Sequence, residues 1–223
     1  MAWERLKHVG IVAVSAPGAA LCYQTICTVA EEILGKKYVH PEVSMHGYPF
    51  NMYMELIDAG DWEGVAELMA SSARKLASLG ADFIVCPDNT VHIAFDIAVE
   101  KSPIPWLHIA EEVAREARRR GFKKLLVLGT RYLMESNVYP SRLGKYGIEW
   151  AIPDKEAREI VNEIIFNELV YGIVRPESRR KLVKIIEEAV EKKGCDAVVL
   201  GCTELPLVLN NQVSPIPTLD STR

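Results

Sequence analysis

Apolar and polar positions along the chain follow two rhythms. Short continuous apolar runs, as a strand buried on both faces requires, occur at His8–Val14, Phe83–Cys86, Lys124–Leu128 and Ala197–Leu200. Glu42–His46 and Glu149–Ile152 are shorter strand candidates. Between them the chain predicts helices at Ala16–Gly35, Trp62–Leu79, Val91–Glu100, Ala110–Arg120, Lys155–Gly172 and Arg179–Lys193. Pro17 lies in the first turn of the first helix, and Gly80 follows the Trp62–Leu79 helix as a C-terminal stop. Strands alternating with helices predict an α/β protein whose parallel sheets are covered by helices.

An internal repeat divides this pattern. Gly80-Ala-Asp-Phe-Ile-Val-Cys-Pro-Asp88-Asn-Thr90 aligns with Gly194-Cys-Asp-Ala-Val-Val-Leu-Gly-Cys202-Thr-Glu204 at an offset of 114 residues. The strand starting at Lys7 matches the one starting at Lys123 at an offset of 116. The expectation is two similar parallel-sheet, flavodoxin-like α/β domains related by a pseudo-twofold, with the active site in the cleft between them. Residues 1–102 with 207–223 are assigned to the N-terminal domain and 103–206 to the C-terminal one.

The repeat also settles an ambiguity at the N-terminus. Arg5 and Lys7 ahead of Val9–Ala20 have the outline of a signal peptide. Pro17-Gly18 interrupts the apolar stretch, Glu4 dilutes the basic start, and the run has a twin in Leu125–Leu128, so it is assigned to the fold.

Composition narrows the function classes. The chain has 223 residues, 49% apolar and 25% charged, with a net charge of −4 and no basic block. That argues against an electrostatic grip on nucleic acid or an anionic membrane, and no apolar run reaches the ~18–20 residues of a bilayer span. The five cysteines (Cys22, Cys27, Cys86, Cys195, Cys202) are odd in number and lack CxxC spacing, which points to a reduced, cytoplasmic protein. No metal-ligand cluster, glycine-rich phosphate loop or Ser–His–Asp order is visible, and no metal site is expected.

In open α/β sheets, ligands bind beyond the carboxyl ends of the strands. Asp88 and Cys202 follow strands at equivalent positions of the repeat, with Asn89-Thr90 and Thr203-Glu204 beside them. Two acid/base groups facing one carbon from opposite sides are what inversion of a stereocentre by proton transfer needs. Donors near helix N-termini would hold the adjacent carboxylate. Each residue also has a plainer reading. Asp88 suits a helix N-cap, Asn89, Thr90 and Thr203 suit turns, and His92 suits a structural role. His46 fits a cleft residue or a strand-end filler equally well. Cys22, Cys27, Cys86 and Cys195 read as packing residues.

Gly201-Cys202-Thr203-Glu204-Leu205-Pro206 resembles the second signature of the aspartate/glutamate racemase family. Pro87-Asp88-Asn89-Thr90-Val91-His92 resembles the first, which normally has cysteine where Asp88 stands. Gly129-Thr130, Tyr139-Pro140, Glu168-Leu169…Gly172 and Pro217-Thr218-Leu219-Asp220-Ser221-Thr222 extend the resemblance over essentially the whole chain. It implies a cofactor-independent racemase of a small acidic amino acid, commonly dimeric, with Asp88 and Cys202 as the acid/base pair. It further implies that Asn89, Thr90, Thr130 and Thr203 hold the α-carboxylate, with Ser15 close by and Glu204 in the substrate site. Glu204 places the chain nearer the aspartate racemase branch. The first loop, Ala13–Pro17, lacks that branch's Gly-Gly-Met-Gly-Pro, and the distal-carboxylate positions read His46–Asn51 and Val170. Related members decarboxylate or isomerise dicarboxylates in the same cleft, a reading that a bulky lining from Tyr48, Phe50 and Met52 would favour. A non-catalytic carboxylate-binding protein is the third reading.

Overall fold

The computed structural model describes residues 6–223, which form two compact units. Glu4 and Arg5 of the signal-peptide outline lie outside the described residues; Val9–Ala13 is a buried strand. The first unit runs to His108 and includes Thr222–Arg223. It contains β1 (Val9–Ala13), α1 (Ala16–Leu34), β2 (Val43–Gly47), α2 (Phe50–Ala59), α3 (Trp62–Ser78), β3 (Phe83–Val85), a 3-10 turn at Thr90–Ala94 and α4 (Phe95–Glu100). The second, Ile109–Ser221, contains α5 (Ile109–Arg120), β4 (Lys124–Gly129), α6 (Arg131–Met134), α7 (Val138–Leu143), β5 (Glu149–Ala151), α8 (Lys155–Asn167), α9 (Pro176–Lys193), β6 (Ala197–Gly201) and β7 (Thr218–Asp220).

Both sheets are parallel, ordered β2-β1-β3 and β5-β4-β6-β7. The repeat is realised in the topology: β1, β2 and β3 occupy the places of β4, β5 and β6. A single parallel bridge from Ile84 to Trp106 stands where β6 pairs with β7. The same fastening recurs at the amino ends of the strands. The Asp82 carboxylate accepts from the His8 backbone N–H at 2.6 Å, and Asp196 accepts from Lys123 and Lys124 at 2.7 and 3.0 Å. These aspartates occupy identical places in the repeat, so part of the sequence similarity is architectural.

In the second unit, Leu126 and Leu128 of β4 and Val198 and Leu200 of β6 pack with Val161, Ile164 and Ile165 of α8 and with Leu182 and Ile186 of α9. The intervening Leu125, Val127, Ala197 and Val199 are also buried, as a parallel sheet covered on both faces requires. In the first unit α3 packs on β1 and β2, and its Val65, Met69 and Leu76 are fully buried. By contrast α1 buries only Gly18, Ala19 and Cys22, and Tyr23, Val29 and Ile33 are exposed. None of the helices among the described residues is long and apolar enough to cross a membrane.

Several expectations need correction. Residues 103–108 belong to the first unit, where Trp106 bridges to Ile84, and residues 207–221 belong to the second, because β7 adds to its sheet through Val198↔Thr218, Val199↔Leu219 and Leu200↔Asp220. Asn211 reinforces the pairing by accepting from the Thr218 N–H at 2.8 Å and from its hydroxyl at 3.0 Å. The predicted Val91–Glu100 helix is a 3-10 turn followed by α4. The predicted Lys155–Gly172 helix stops at Asn167, where Glu168 leaves helical geometry at φ −130°. α9 begins three residues early, at Pro176. The apolar pattern missed α2, α6, α7 and β7, each too short or too exposed to show its period.

Candidate active site

Residues at the carboxyl edge of each sheet are set by the last strand residues. In the second unit Gly129 and Gly201 are register partners, so Thr130 and Cys202 leave β4 and β6 side by side. A Cβ on Gly129 would stand 2.8 Å from the Gly201 carbonyl oxygen and 2.7 Å from Leu133 Cδ2, so only glycine permits this approach. Thr130 is buried and caps α6, its hydroxyl oxygen accepting from the Leu133 N–H at 3.2 Å.

Cys202 is half-buried, and its Sγ donates to Glu204 Oε2 at 2.9 Å. Thr203 Oγ1 donates to the same oxygen at 2.7 Å. Glu204 is itself buried. The three consecutive polar residues thus form one cluster: a carboxylate oxygen receives the thiol and the hydroxyl together. The sequence reading assigns Glu204 to the substrate site; its observed partners are the thiol and the threonine.

In the first unit Asp88 Oδ1 accepts from the Thr90 and Val91 N–H groups at 3.1 and 3.3 Å, capping the 3-10 turn. The carboxylate therefore does what the N-cap reading describes. His92 Nδ1 lies 2.6 Å from the Asp88 carbonyl oxygen, which can only accept, so Nδ1 carries the proton. The imidazole stacks on Phe95 with centroids 5.2 Å apart and meets the His108 ring edge-on at 4.9 Å. His92 thus holds the turn, in keeping with a structural role. Asn89 is buried; Thr90 is partly so. Ser15 follows β1 in extended geometry and makes no capping bond to α1.

His46 turns toward α3 and contacts Ser72 and Lys75. Tyr48 also turns there, its hydroxyl 2.8 Å from Ser71 Oγ and 3.0 Å from Lys75 Nζ. Those bonds, Lys75 foremost, hold the phenol below its ordinary range. Phe50 and Met52 are 40% and 38% exposed. The thiols of Cys22, Cys86 and Cys195 are pushed up by burial, Cys22 to about 11. Such thiols stay protonated and unreactive, as packing residues should.

The family model for Asp/Glu/hydantoin racemases matches residues 11–223. The broad specificity amino-acid racemase RacX of Bacillus subtilis is 27% identical over 184 residues, 82% of this chain and 77% of that protein. A solved structure of a putative Asp/Glu racemase from Yersinia pestis superposes with a TM-score of 0.88 at 33% identity, covering 97% of this chain and 94% of that one. An aspartate racemase homologue from Pyrococcus horikoshii OT3 gives a TM-score of 0.82 at 31% identity with the same coverage. The family match over nearly the full length and the two-sheet architecture agree, so the chain belongs to the Asp/Glu/hydantoin racemase family and is an enzyme of the isomerase class.

Proposed function

We propose that the chain is a cofactor-independent amino-acid racemase acting on a small acidic amino acid, with Asp88 and Cys202 as acid/base groups on opposite faces of the α-carbon. The observation carrying this reading is the Cys202–Glu204 pair, a half-exposed thiol 2.9 Å from a buried carboxylate. Asp88 stands at the equivalent place in the other half of the repeat.

Ordinary acidities set the direction of the first proton transfer. With reference values of ~3.9 for Asp and ~8.5 for Cys, the resting pair is a carboxylate and a thiol. Glu204 reinforces this, because a carboxylate beside a thiol favours the protonated sulfur. Asp88 removes the α-proton from the enantiomer that presents it, and the C–H electron pair passes into the substrate carboxyl as an enediolate. Cys202 then delivers its proton to the opposite face and is left as thiolate. Asn89, Thr90, Thr130, Thr203 and Ser15 are the proposed donors to the enediolate oxygens. The opposite enantiomer needs the swapped protonation state, about 6 kcal/mol higher on the reference acidities. The two enantiomers are equal in free energy, so kcat/KM is the same in both directions. The asymmetry appears in kcat and KM separately.

The test is to incubate each enantiomer of aspartate and glutamate in heavy water and follow α-deuteration and inversion. Exchange with inversion is expected; no exchange from any of the four sinks the reading for these substrates. A second reading, one-sided protonation by Cys202 in a decarboxylase or cis–trans isomerase, is favoured by the capping bonds of Asp88. A non-catalytic carboxylate binder would keep ligand affinity but show no turnover to lose in Cys202→Ala. A reduced, cytoplasmic setting and a homodimer complete the proposal, and sedimentation equilibrium tests the latter.

A further inference from the structure

α1 is a long helix with a short buried face. Gly18, Ala19 and Cys22 are its buried residues out of 19, against seven of the 17 in α3. Cys22, Ile26, Val29 and Ile33 follow one another on a single stripe of the helix. The stripe starts as core, where Cys22 packs with Ile11 and Ala19, and ends open, with Ile33 77% exposed. Beside the open part runs a groove of about 270 Å³, whose lining includes Thr25, Ile26, Val29, Ile33 and Pro41. Val43 of β2 packs against the Cys22 cluster, so Met45, two residues on, is on the same side of the sheet and is exposed there.

An aromatic residue stands at the end of this groove in a strained conformation. Tyr38 is the one non-glycine residue with positive φ among the described residues, at 61°, and it is 89% exposed. Its backbone N–H donates to Glu31 Oε1 at 2.8 Å, which ties it to the last turns of α1. Pro41, three residues further, lines the groove. A tyrosine held left-handed is strained, and the packing of its own chain does not cover this one.

An exposed aromatic knob thus stands beside an apolar hole on one face of the first unit. A twofold interface has this form, because each copy presents both halves of the contact. The charges agree. Ala16–Ala30 contains no charged residue, whereas the exposed positions of α9 include Arg179, Arg180, Lys181 and Lys184. At the rim, Glu32 and the pair Lys36–Lys37 are exposed and opposite in sign, so two copies can set each against its complement. With α1 ~28 Å long and the Pro41–Met45 segment widening the face to ~20 Å, the area is ~600 Å², of the order of the ~800 Å² each partner buries in a standard interface.

We propose that this face of α1 is the interface between two copies of the chain, with Tyr38 of each copy seated in the groove of the other. The proposal rests on the homodimer reading and gives it a surface. Burial of the ring offsets the strained backbone, which accounts for tyrosine where glycine is the ordinary choice. Val29, Ile33 and Met45 lose water in the same step.

Sedimentation equilibrium of wild type, Tyr38→Gly, Ile33→Lys and Trp150→Ser over a wide concentration range tests it. Wild type is expected to be a dimer. Tyr38→Gly should raise the dimer Kd about 100-fold or more, because one substitution removes two aromatic anchors. Its melting temperature at concentrations below the wild-type Kd should stay level or rise, since glycine adopts a φ of 61° without strain. A fall would make Tyr38 a packing residue of its own chain and overturn its role as the knob. Ile33→Lys places two ammonium groups in the apolar contact and should leave monomers. Their circular dichroism should match wild type, because the position is largely exposed in the single chain. Trp150, an exposed aromatic of the second unit, is the control, and Trp150→Ser should dimerise as wild type does. A dimer that persists in both α1-face variants, or that is lost in Trp150→Ser alone, overturns this interface and leaves the homodimer standing. A wild type that sediments as a monomer throughout overturns both.

Discussion

The turns after β3 and β6 occupy the same place in a repeated frame, yet their side chains are used differently. After β3, Asp88 turns back on its own backbone and caps the Thr90–Ala94 turn. After β6, the Cys202 thiol donates a hydrogen bond to the carboxylate two residues on, and Thr203 donates to the same oxygen. The frame is common down to the aspartates that fasten the amino ends of the strands, Asp82 and Asp196. Repetition therefore explains where the two groups are, and the local bonds explain how they differ. The carboxylate accepts from backbone N–H groups of its own turn, whereas the thiol donates to a carboxylate oxygen.

The largest effect should come from the thiol. Cys202→Ala is expected to lower racemisation by about 10³-fold or more, since proton transfer by a positioned group contributes about 10²–10⁴. Its circular dichroism should match wild type; retention of full turnover would move the chemistry out of the second unit. Next in size is a change that erases the comparison. Asp88→Cys makes the two turns chemically alike, so the kcat values of the two directions should converge, as followed by polarimetry from each enantiomer. Values that stay as far apart as in wild type would place the asymmetry elsewhere.

Glu204→Gln separates two uses of the acid. If Glu204 keeps the proton on sulfur, its removal raises the thiolate fraction, so iodoacetamide should alkylate Cys202 about ten-fold faster at neutral pH. Turnover should fall about ten-fold, as expected for the loss of one polarising group. Slower alkylation would instead make Glu204 a base that withdraws the proton. The smallest effects concern the frame. Asp196 accepts two backbone N–H bonds and Asp82 one. In urea unfolding, Asp196→Ala should cost about 2 kcal/mol and Asp82→Ala about 1 kcal/mol. Equal losses would show that the second bond contributes nothing.

Much of this was legible in the chain because burial on both faces leaves continuous apolar runs, as in Leu125–Leu128 and Ala197–Leu200. The Gly80/Gly194, Asp82/Asp196 and Asp88/Cys202 pairs gave the repeat, and with it the strand-end positions. Three-residue β7 carries too few positions to show a period, and Pro217 ahead of it reads as a loop, so residues 207–221 were assigned to the wrong unit. α2 was missed because Phe50 and Met52 put apolar side chains on its exposed face and blur the Tyr53–Ile57 stripe. Within the site, residue types at strand ends were readable, but bonding partners were not. Nothing in the Cys202-Thr203-Glu204 tripeptide says that one carboxylate oxygen accepts from both the thiol and the hydroxyl.

Asp88→Asn tests the central claim most directly. Asparagine caps a turn as well as aspartate does and can keep accepting from Thr90 and Val91, so the fold of the turn is preserved while the acid/base function is lost. The variant is followed in heavy water by proton NMR and by chiral chromatography from each enantiomer. Two-sided chemistry predicts loss of racemisation by about 10²-fold or more. Slow deuteration with retention should remain for the one enantiomer whose α-proton faces Cys202. Racemisation at the wild-type rate would contradict it and leave Asp88 as the cap of its own turn.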